Sequence, residues 1–164
     1  TLGVLKNIKS NALKAIEFIK KTNTSFNLEK ATLKDFETHK SSLPDALVPY
    51  FYAAIQNHII TQRSLIELKK TTLNYLLIGD LMNQHHRILK NNLKITIPRI
   101  DAMIDAAINA GAYGAKIIGS GGGGCIVALA PVHLQIKISQ AIKQAGAKDA
   151  YSVKVASGTK IFNE

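Results

Sequence analysis

The sequence predicts an α+β domain built on an antiparallel sheet, and three features of it carry that prediction. Through residue 92 the apolar residues recur at three- and four-residue steps, the period of helices with one buried face. Beyond that point two short apolar runs, 113–118 and 125–130, flank a run of glycines, as two strands flank a loop. Near the end Tyr151, Val153 and Val155 alternate with Ser152 and Lys154, the period-2 pattern of a half-buried strand. Helices first and then mixed helix and hairpin is the order of an α+β fold.

Taken in order, Leu5, Ile8, Ala12, Ile16 and Ile19 line one face of a first helix, and Asn23 and Thr24 break its pattern. A short element covers 28–36. Ser42 and Pro44 then open a long helix whose apolar line runs Leu47, Phe51, Ile55, Ile59, Gln62, Ile66, with Pro44 near the first turn, where a missing N–H costs nothing. Thr71 or Thr72 is expected to cap the next helix, with Leu73, Leu77, Leu81, His85 and Ile88 facing inward. Gly79 within it lowers helix propensity by about 1 kcal/mol relative to Ala, so it marks either close packing or a break. Pro98 starts a helix through Ile100, Ile104 and Ile108, and Gly111 stands where a C-terminal cap is wanted. After the two strands, a helix from Pro131 turns Leu134, Ile138, Ile142 and Ala145 inward and stops at Gly146. Gly158 leads into a last short strand at 160–162.

Residues 1–164 are therefore read as one domain, mainly helical over 1–92 and α/β over 93–164. Hydrophobic residues make up 46% of the chain, enough for a proper core. No apolar run is long enough to cross a bilayer, and no signal-peptide pattern opens the chain, so no membrane partner is expected. The chain starts at Thr1 rather than Met, as a processed chain or a fragment does. The single cysteine, Cys125, excludes a disulfide scaffold and fits a reducing, cytoplasmic setting. Lys and Arg number 21 against 11 Asp and Glu, a formal charge of +10 that would attract polyanions. The lysines are scattered, however, with no dense basic block interleaved with aromatics, which speaks against nucleic acid and for solvated helix faces.

The chemistry lies in Gly119-Ser120-Gly121-Gly122-Gly123-Gly124. Five glycines in six positions cost much backbone entropy to order. A hairpin connection needs one or two of them. A loop that approaches a ligand with bare backbone, its N–H groups forming an anion nest, uses more. The run lacks the Gly-Lys-Ser/Thr ending of a Walker A loop, and it leads into the apolar strand at Cys125 rather than into a helix, so the Rossmann arrangement fails too.

From Gly111 through Leu129 the sequence GAYGAKIIGSGGGGCIVAL resembles the third motif of the GHMP kinases, named for galactokinase, homoserine kinase, mevalonate kinase and phosphomevalonate kinase. The run Gly79-Asp80-Leu81-Met82-Asn83-Gln84-His85-His86-Arg87, then Ile95-Thr96-Ile97-Pro98 and Asp101, is similar to the segment before that motif in galactokinases. So are residues 28–36, Leu43-Pro44-Asp45, and Val153-Lys154-Val155 with Ser157-Gly158. Two departures bear on the substrate. The glycine run is uninterrupted, as in mevalonate kinases, and His85 stands where galactokinases commonly carry serine. The resemblance implies a ferredoxin-like C-terminal lobe with extra helices. It implies transfer of the γ-phosphoryl group of ATP, with Mg2+, to a sugar hydroxyl or a mevalonate-like alcohol, by positioning and charge stabilisation. It also implies an N-terminal lobe as partner, holding the catalytic base, the main phosphate loop and most nucleotide contacts, so this chain holds no catalytic residue and no metal site and is inactive alone. Residues 119–124 would then adjoin the transfer site.

His85 lies on the apolar stripe of its helix and reads as a core or helix-interface residue, whereas His86 and Thr96 are the candidate substrate-side residues. Capping the following helix is the stronger reading of Thr96. The adjacent histidines are not a metal pair, because neighbouring helix positions point about 100° apart. Cys125 reads as a small buried residue rather than a nucleophile, and His39, His58 and His133 carry no motif. Two alternatives stay open: a mevalonate kinase-like lobe, and a non-catalytic ferredoxin-like binding module in which the +10 charge serves RNA or a regulatory role.

Overall fold

The computed structural model describes residues 2–156 and 158. Six α-helices and one hairpin follow in order: α1 Leu2–Thr22, α2 Leu33–His39, α3 Val48–Leu68, α4 Tyr75–Asn91, α5 Pro98–Asn109, β1 Gly114–Ile118, β2 Cys125–Leu129 and α6 Gln135–Gln144. Single 3₁₀ turns at Leu28–Lys30, Lys40–Ser42, Asp45–Leu47 and Val132–Leu134 join some of them. The expected α+β order holds, as a mixed helical fold carrying a two-stranded antiparallel sheet. No helix among the described residues is long and apolar enough to cross a membrane.

Three apolar clusters hold these elements together. Ala15 and Ile19 of α1, Phe26, Phe36 of α2, and Phe51 and Ile55 of α3 form the first. Ala53 and Ile60 of α3 meet Leu81 and Ile88 of α4 in the second. In the third, Ile100, Ile104 and Ala107 of α5 pack with Ala115 and Ile117 of β1 and with Ile138 and Ile142 of α6. Since side chains alternate across a strand, Ala115 and Ile117 face α5 and α6 while Gly114 is left to meet α4, where Gly79 lies against it. Gly79 thus marks close packing and not a break: α4 runs through it without interruption.

Several local expectations are corrected. Pro49, not Pro44, occupies the first turn of α3, because a 3₁₀ turn at Asp45–Leu47 intervenes. The buried line of α3 ends on Ile60 and Glu67, whereas Ile66 is 64% exposed. Four of the five steps in that line are four residues long and each drifts about 40° around a 3.6-residue helix, more than its one three-residue step takes back, so the inward face moves off that line as the helix leaves α1 and reaches α4. Glu67, 1% exposed, accepts from the Asn74 backbone N–H at 2.7 Å and ion-pairs Lys70 at 2.6 Å, tying down the connection to α4. Asn74 caps α4 in place of the expected Thr71 or Thr72, its Oδ1 accepting from Leu77 N at 3.0 Å. The helix expected from Pro131 begins as a 3₁₀ turn and becomes α6 at Gln135. Gly111 and Gly146 do end α5 and α6, at φ 109° and 106°.

The alternation at 151–155 does not form a strand. Tyr151 and Val153 are exposed, and Val155 is fully so. A strand needs a neighbour that accepts its ladder hydrogen bonds, and among the described residues none pairs with this segment. Ser157 and the expected strand at 160–162 lie outside the described residues.

Candidate functional site

The ladder of β1 and β2 closes on the pair Ile118 and Cys125, which leaves Gly119, Ser120, Gly121, Gly122, Gly123 and Gly124 as the connecting loop. All five glycines adopt positive φ: 83°, 79°, 70°, 128° and 98° in order. Side chains resist that region, at about 1–2 kcal/mol per residue, so the loop's shape is one only glycine takes without strain.

The glycines divide into two kinds. Gly121 is buried, and a Cβ on it would stand 2.7 Å from the Ile95 carbonyl oxygen; the next residue, Gly122, donates its N–H to that oxygen at 2.8 Å. This pair docks the loop onto the segment before α5. A methyl group on Gly119 or Gly124 would meet nothing within 4 Å, and one on Gly123 would meet only the tip of Ile97, at 3.8 Å. Their backbone faces open space, with the Ser120 side chain exposed beside them. Packing within the chain therefore accounts for Gly121 and not for Gly119, Gly123 or Gly124.

Ile95 is placed by the end of α4. Leu93 N and Asn92 N both donate to Ile88 O, Lys94 takes φ 54°, and Ile95 N donates to Leu89 O at 3.1 Å. The strand side is fixed by Asn83 of α4. Its Oδ1 accepts from Ala115 N at 2.9 Å and its Nδ2 donates to Tyr113 O at 3.4 Å, so a side-chain amide serves the backbone of β1. The sequence names Ile95 and Asn83 only as part of the family resemblance and assigns neither a role. A polar residue four positions after Gly79, on the packed side of the helix, was the available signal for Asn83; a backbone carbonyl leaves none for Ile95.

Beside the loop an open groove of about 920 Å³ runs over β2, bordered by Ile97, Arg99, Gly123, Gly124 and Cys125. Cys125 is exposed in it, contrary to the buried role expected, because the last ladder pair leaves it at the mouth of the loop. Thr96 precedes α5 but does not cap it; Ile97 is the cap residue and makes no side-chain cap bond.

The two histidines exchange the burial expected of them. His86 is 6% exposed, its Nε2 lying 3.3 Å from Asp101 Oδ1 of α5, outside hydrogen-bond alignment, while Lys90 Nζ reaches Asp101 Oδ2 at 3.2 Å. Burial pushes the His86 imidazole below its usual range, against the pull of Asp101. His85 is half-buried, and burial, with Lys116 and His86 beside it, pushes it down to about 4. Lys116 of β1, also lowered by burial, donates to Ile117 O at 3.1 Å. Among the described residues no group of three or more His, Cys, Asp or Glu side chains is placed to hold a metal ion. The donor set of the described residues does not fit a Mg2+ site.

With this geometry in place, known proteins give a consistent picture. The profile described as "GHMP kinases C terminal" matches residues 65–154. Galactokinase of Pasteurella multocida is 36% identical over 140 residues, 79% of this chain and 36% of the relative's length. Mevalonate kinase of Pyrococcus abyssi is 44% identical over 72 residues, 44% of this chain and 21% of that enzyme. A solved structure of Lactococcus lactis galactokinase complexed with galactose superposes with a TM-score of 0.78 at 20% identity, covering 87% of this chain and 37% of that one, a likeness of fold. The chain thus spans little more than a third of the length of these two galactokinases. Matched over more than half its residues, and carrying the glycine loop on the hairpin where that resemblance puts it, the chain belongs to the GHMP kinase C-terminal family.

Proposed function

We propose that this chain is the C-terminal lobe of an ATP-dependent kinase that phosphorylates a sugar hydroxyl, of the galactokinase kind. The observation that carries the reading is the glycine loop, with five left-handed glycines, of which Gly119, Gly123 and Gly124 have no close contact inside the chain that requires a glycine. Exposed N–H groups on such a backbone suit an anion, and a loop without side chains lets another body approach closely. In this reading residues 119–124 shape the phosphoryl-transfer cleft from one side, with Thr96 next to the anchoring Ile95. The burial of His86 favours a supporting role, holding α5 to α4 beside Asp101 and Lys90, over contact with substrate.

An N-terminal lobe would supply ATP binding, Mg2+ and the catalytic base, so the chain by itself would not turn over. ATP and magnesium supply the transferable phosphoryl group and its charge compensation. This chain contributes a positioned backbone, and transfer of this type depends on positioning more than on covalent participation by the protein. A cytoplasmic setting accompanies this reading.

A mevalonate kinase-like lobe is the second reading, favoured by the unbroken glycine run and by the 44% identity to the Pyrococcus enzyme over 72 residues. The test joins this chain to its natural N-terminal lobe and measures ADP release with galactose and with mevalonate. Turnover with galactose is expected. Turnover with mevalonate alone transfers the assignment to the second reading, and ATP turnover with neither, in a folded protein, removes both.

A further inference from the structure

The seam between α3 and α4 opens on one side into a polar notch of about 290 Å³. Two rows of side chains face one another across it. Tyr52, Gln56 and Ile60 stand four residues apart on α3, and Gln84, Arg87, Ile88 and Asn91 recur at three- and four-residue steps on α4. Seams between packed helices are ordinarily filled by apolar side chains, and these two helices do fill theirs with Ala53, Ile60, Leu81 and Ile88. The notch alongside is different: buried Ile60 and Ile88 form its floor, and a guanidinium, amides and a phenol form its walls.

These polar groups are under-used. Arg87 is exposed and joins none of the ion pairs among the described residues. Gln56 Nε2 donates to the Tyr52 hydroxyl at 3.4 Å and Gln84 Nε2 to Asp80 Oδ2 at 2.6 Å, leaving both amide oxygens as free acceptors. Asp80 sits one turn before Gln84, outside the lining, and accepts from that amide.

We propose that this notch binds a small hydroxylated anion, a sugar phosphate or a sugar acid. The planar fork of a guanidinium matches two oxygens of a phosphate or carboxylate. Carboxamides donate and accept at once, which is what hydroxyl groups require of a partner. The Tyr52 ring and the isoleucine floor offer apolar surface to the C–H face of a pyranose. The volume lies just under the small end of ligand pockets, roughly 300 Å³, as suits a ligand the size of one sugar. Gly79 and Asn83, which meet β1, and residues 119–124 are all absent from the lining of the notch, so the notch is separate from the glycine loop. Its occupancy does not depend on the kinase reading.

The test is a calorimetric and NMR titration of the 164-residue chain with glucose 6-phosphate, glucuronate, glucose and inorganic phosphate. At least one charged sugar is expected to saturate a site and to bind about tenfold or more tightly than glucose or inorganic phosphate, a difference of about 1.4 kcal/mol. Saturation by only one of the two charged sugars supports the proposal and fixes the head group. Arg87→Gln is expected to weaken that binding at least tenfold, and Asn91→Asp to do the same by setting a carboxylate against the anion. Both positions are exposed, and far-UV circular dichroism checks the fold; should Arg87→Gln not fold, Asn91→Asp decides alone. No saturation by either charged sugar overturns the proposal. So does affinity unchanged in the variants, or inorganic phosphate binding as tightly as the sugars.

Discussion

Gly79 of α4 and Gly114 of β1 touch backbone to backbone: a methyl group on Gly114 would stand 2.1 Å from the Gly79 carbonyl oxygen. A methyl on Gly79 would in turn stand 2.3 Å from the carbonyl carbon and oxygen of Tyr113. The neighbours on both sides are backbone, which does not swing aside as a side-chain tip does. The helix is thereby held at the distance from which Asn83 reaches Ala115 N, and the strand that carries the glycine loop is fixed to it.

Gly79→Ala should therefore destabilise the chain although alanine is the better helix former. The overpacking penalty is about 1–3 kcal/mol and exceeds the gain of about 1 kcal/mol in helix propensity. Urea unfolding measures it. Gly114→Ala should cost a similar amount, and the double variant less than the sum, because both act on one contact. A Gly79→Ala protein more stable than the parent would refute the close approach.

Within the loop, substitutions should separate fold from turnover. Gly121→Ala meets the Ile95 carbonyl and should lower the unfolding midpoint. Gly124→Ala meets nothing in the chain and carries only the positive-φ strain, about 1–2 kcal/mol. In the complete enzyme Gly124→Ala and Gly122→Val should both cut kcat severely, while circular dichroism stays that of the parent. Parental rates from both would reduce the loop to a connector.

The His85 imidazole, held near 4, makes stability depend on acid. A folded value below the ordinary 6.5 means that the unfolded chain takes up the proton first as pH falls. Stability is complete above about pH 6.5 and is lost progressively down to about pH 4. His86 acts in the same direction. Asp35 and Asp149, whose values are lowered by their hydrogen bonds, contribute stability that is lost only at more acid pH, below 3.8. His85→Gln should flatten the melting temperature between pH 6.5 and 4; an unchanged profile would show that the ring is free to protonate in the fold.

Asp101 is shared by Lys90 and His86. Asp101→Asn should cost about 1–3 kcal/mol, since it leaves a mostly buried group facing partners it no longer satisfies. Lys90 is 42% exposed, so a double-mutant cycle between the two should return only about 0.2–1 kcal/mol of coupling. A coupling several times larger would mean that the pair is sealed from solvent.

Much of this protein was legible as sequence. The three- and four-residue recurrence of isoleucine and leucine locates the helices, because burying one face of a helix imposes that period whatever the neighbours. The glycine run declares a positive-φ loop between two apolar strands, since no other residue tolerates five such positions, and its flanks declare the family.

Packing decided the remainder. That Asn74 rather than Thr71 or Thr72 caps α4, that the buried line of α3 ends on Glu67, and that His86 rather than His85 lies inside all depend on where a second element arrives. Rotation about a helix of a few tens of degrees separates one outcome from the other, and local sequence does not encode it. The alternation of Tyr151, Val153 and Val155 makes the same point from the other side: a strand is a relation between two chains of hydrogen-bonding groups, and one half of it can be written in the sequence while no partner pairs with it among the described residues.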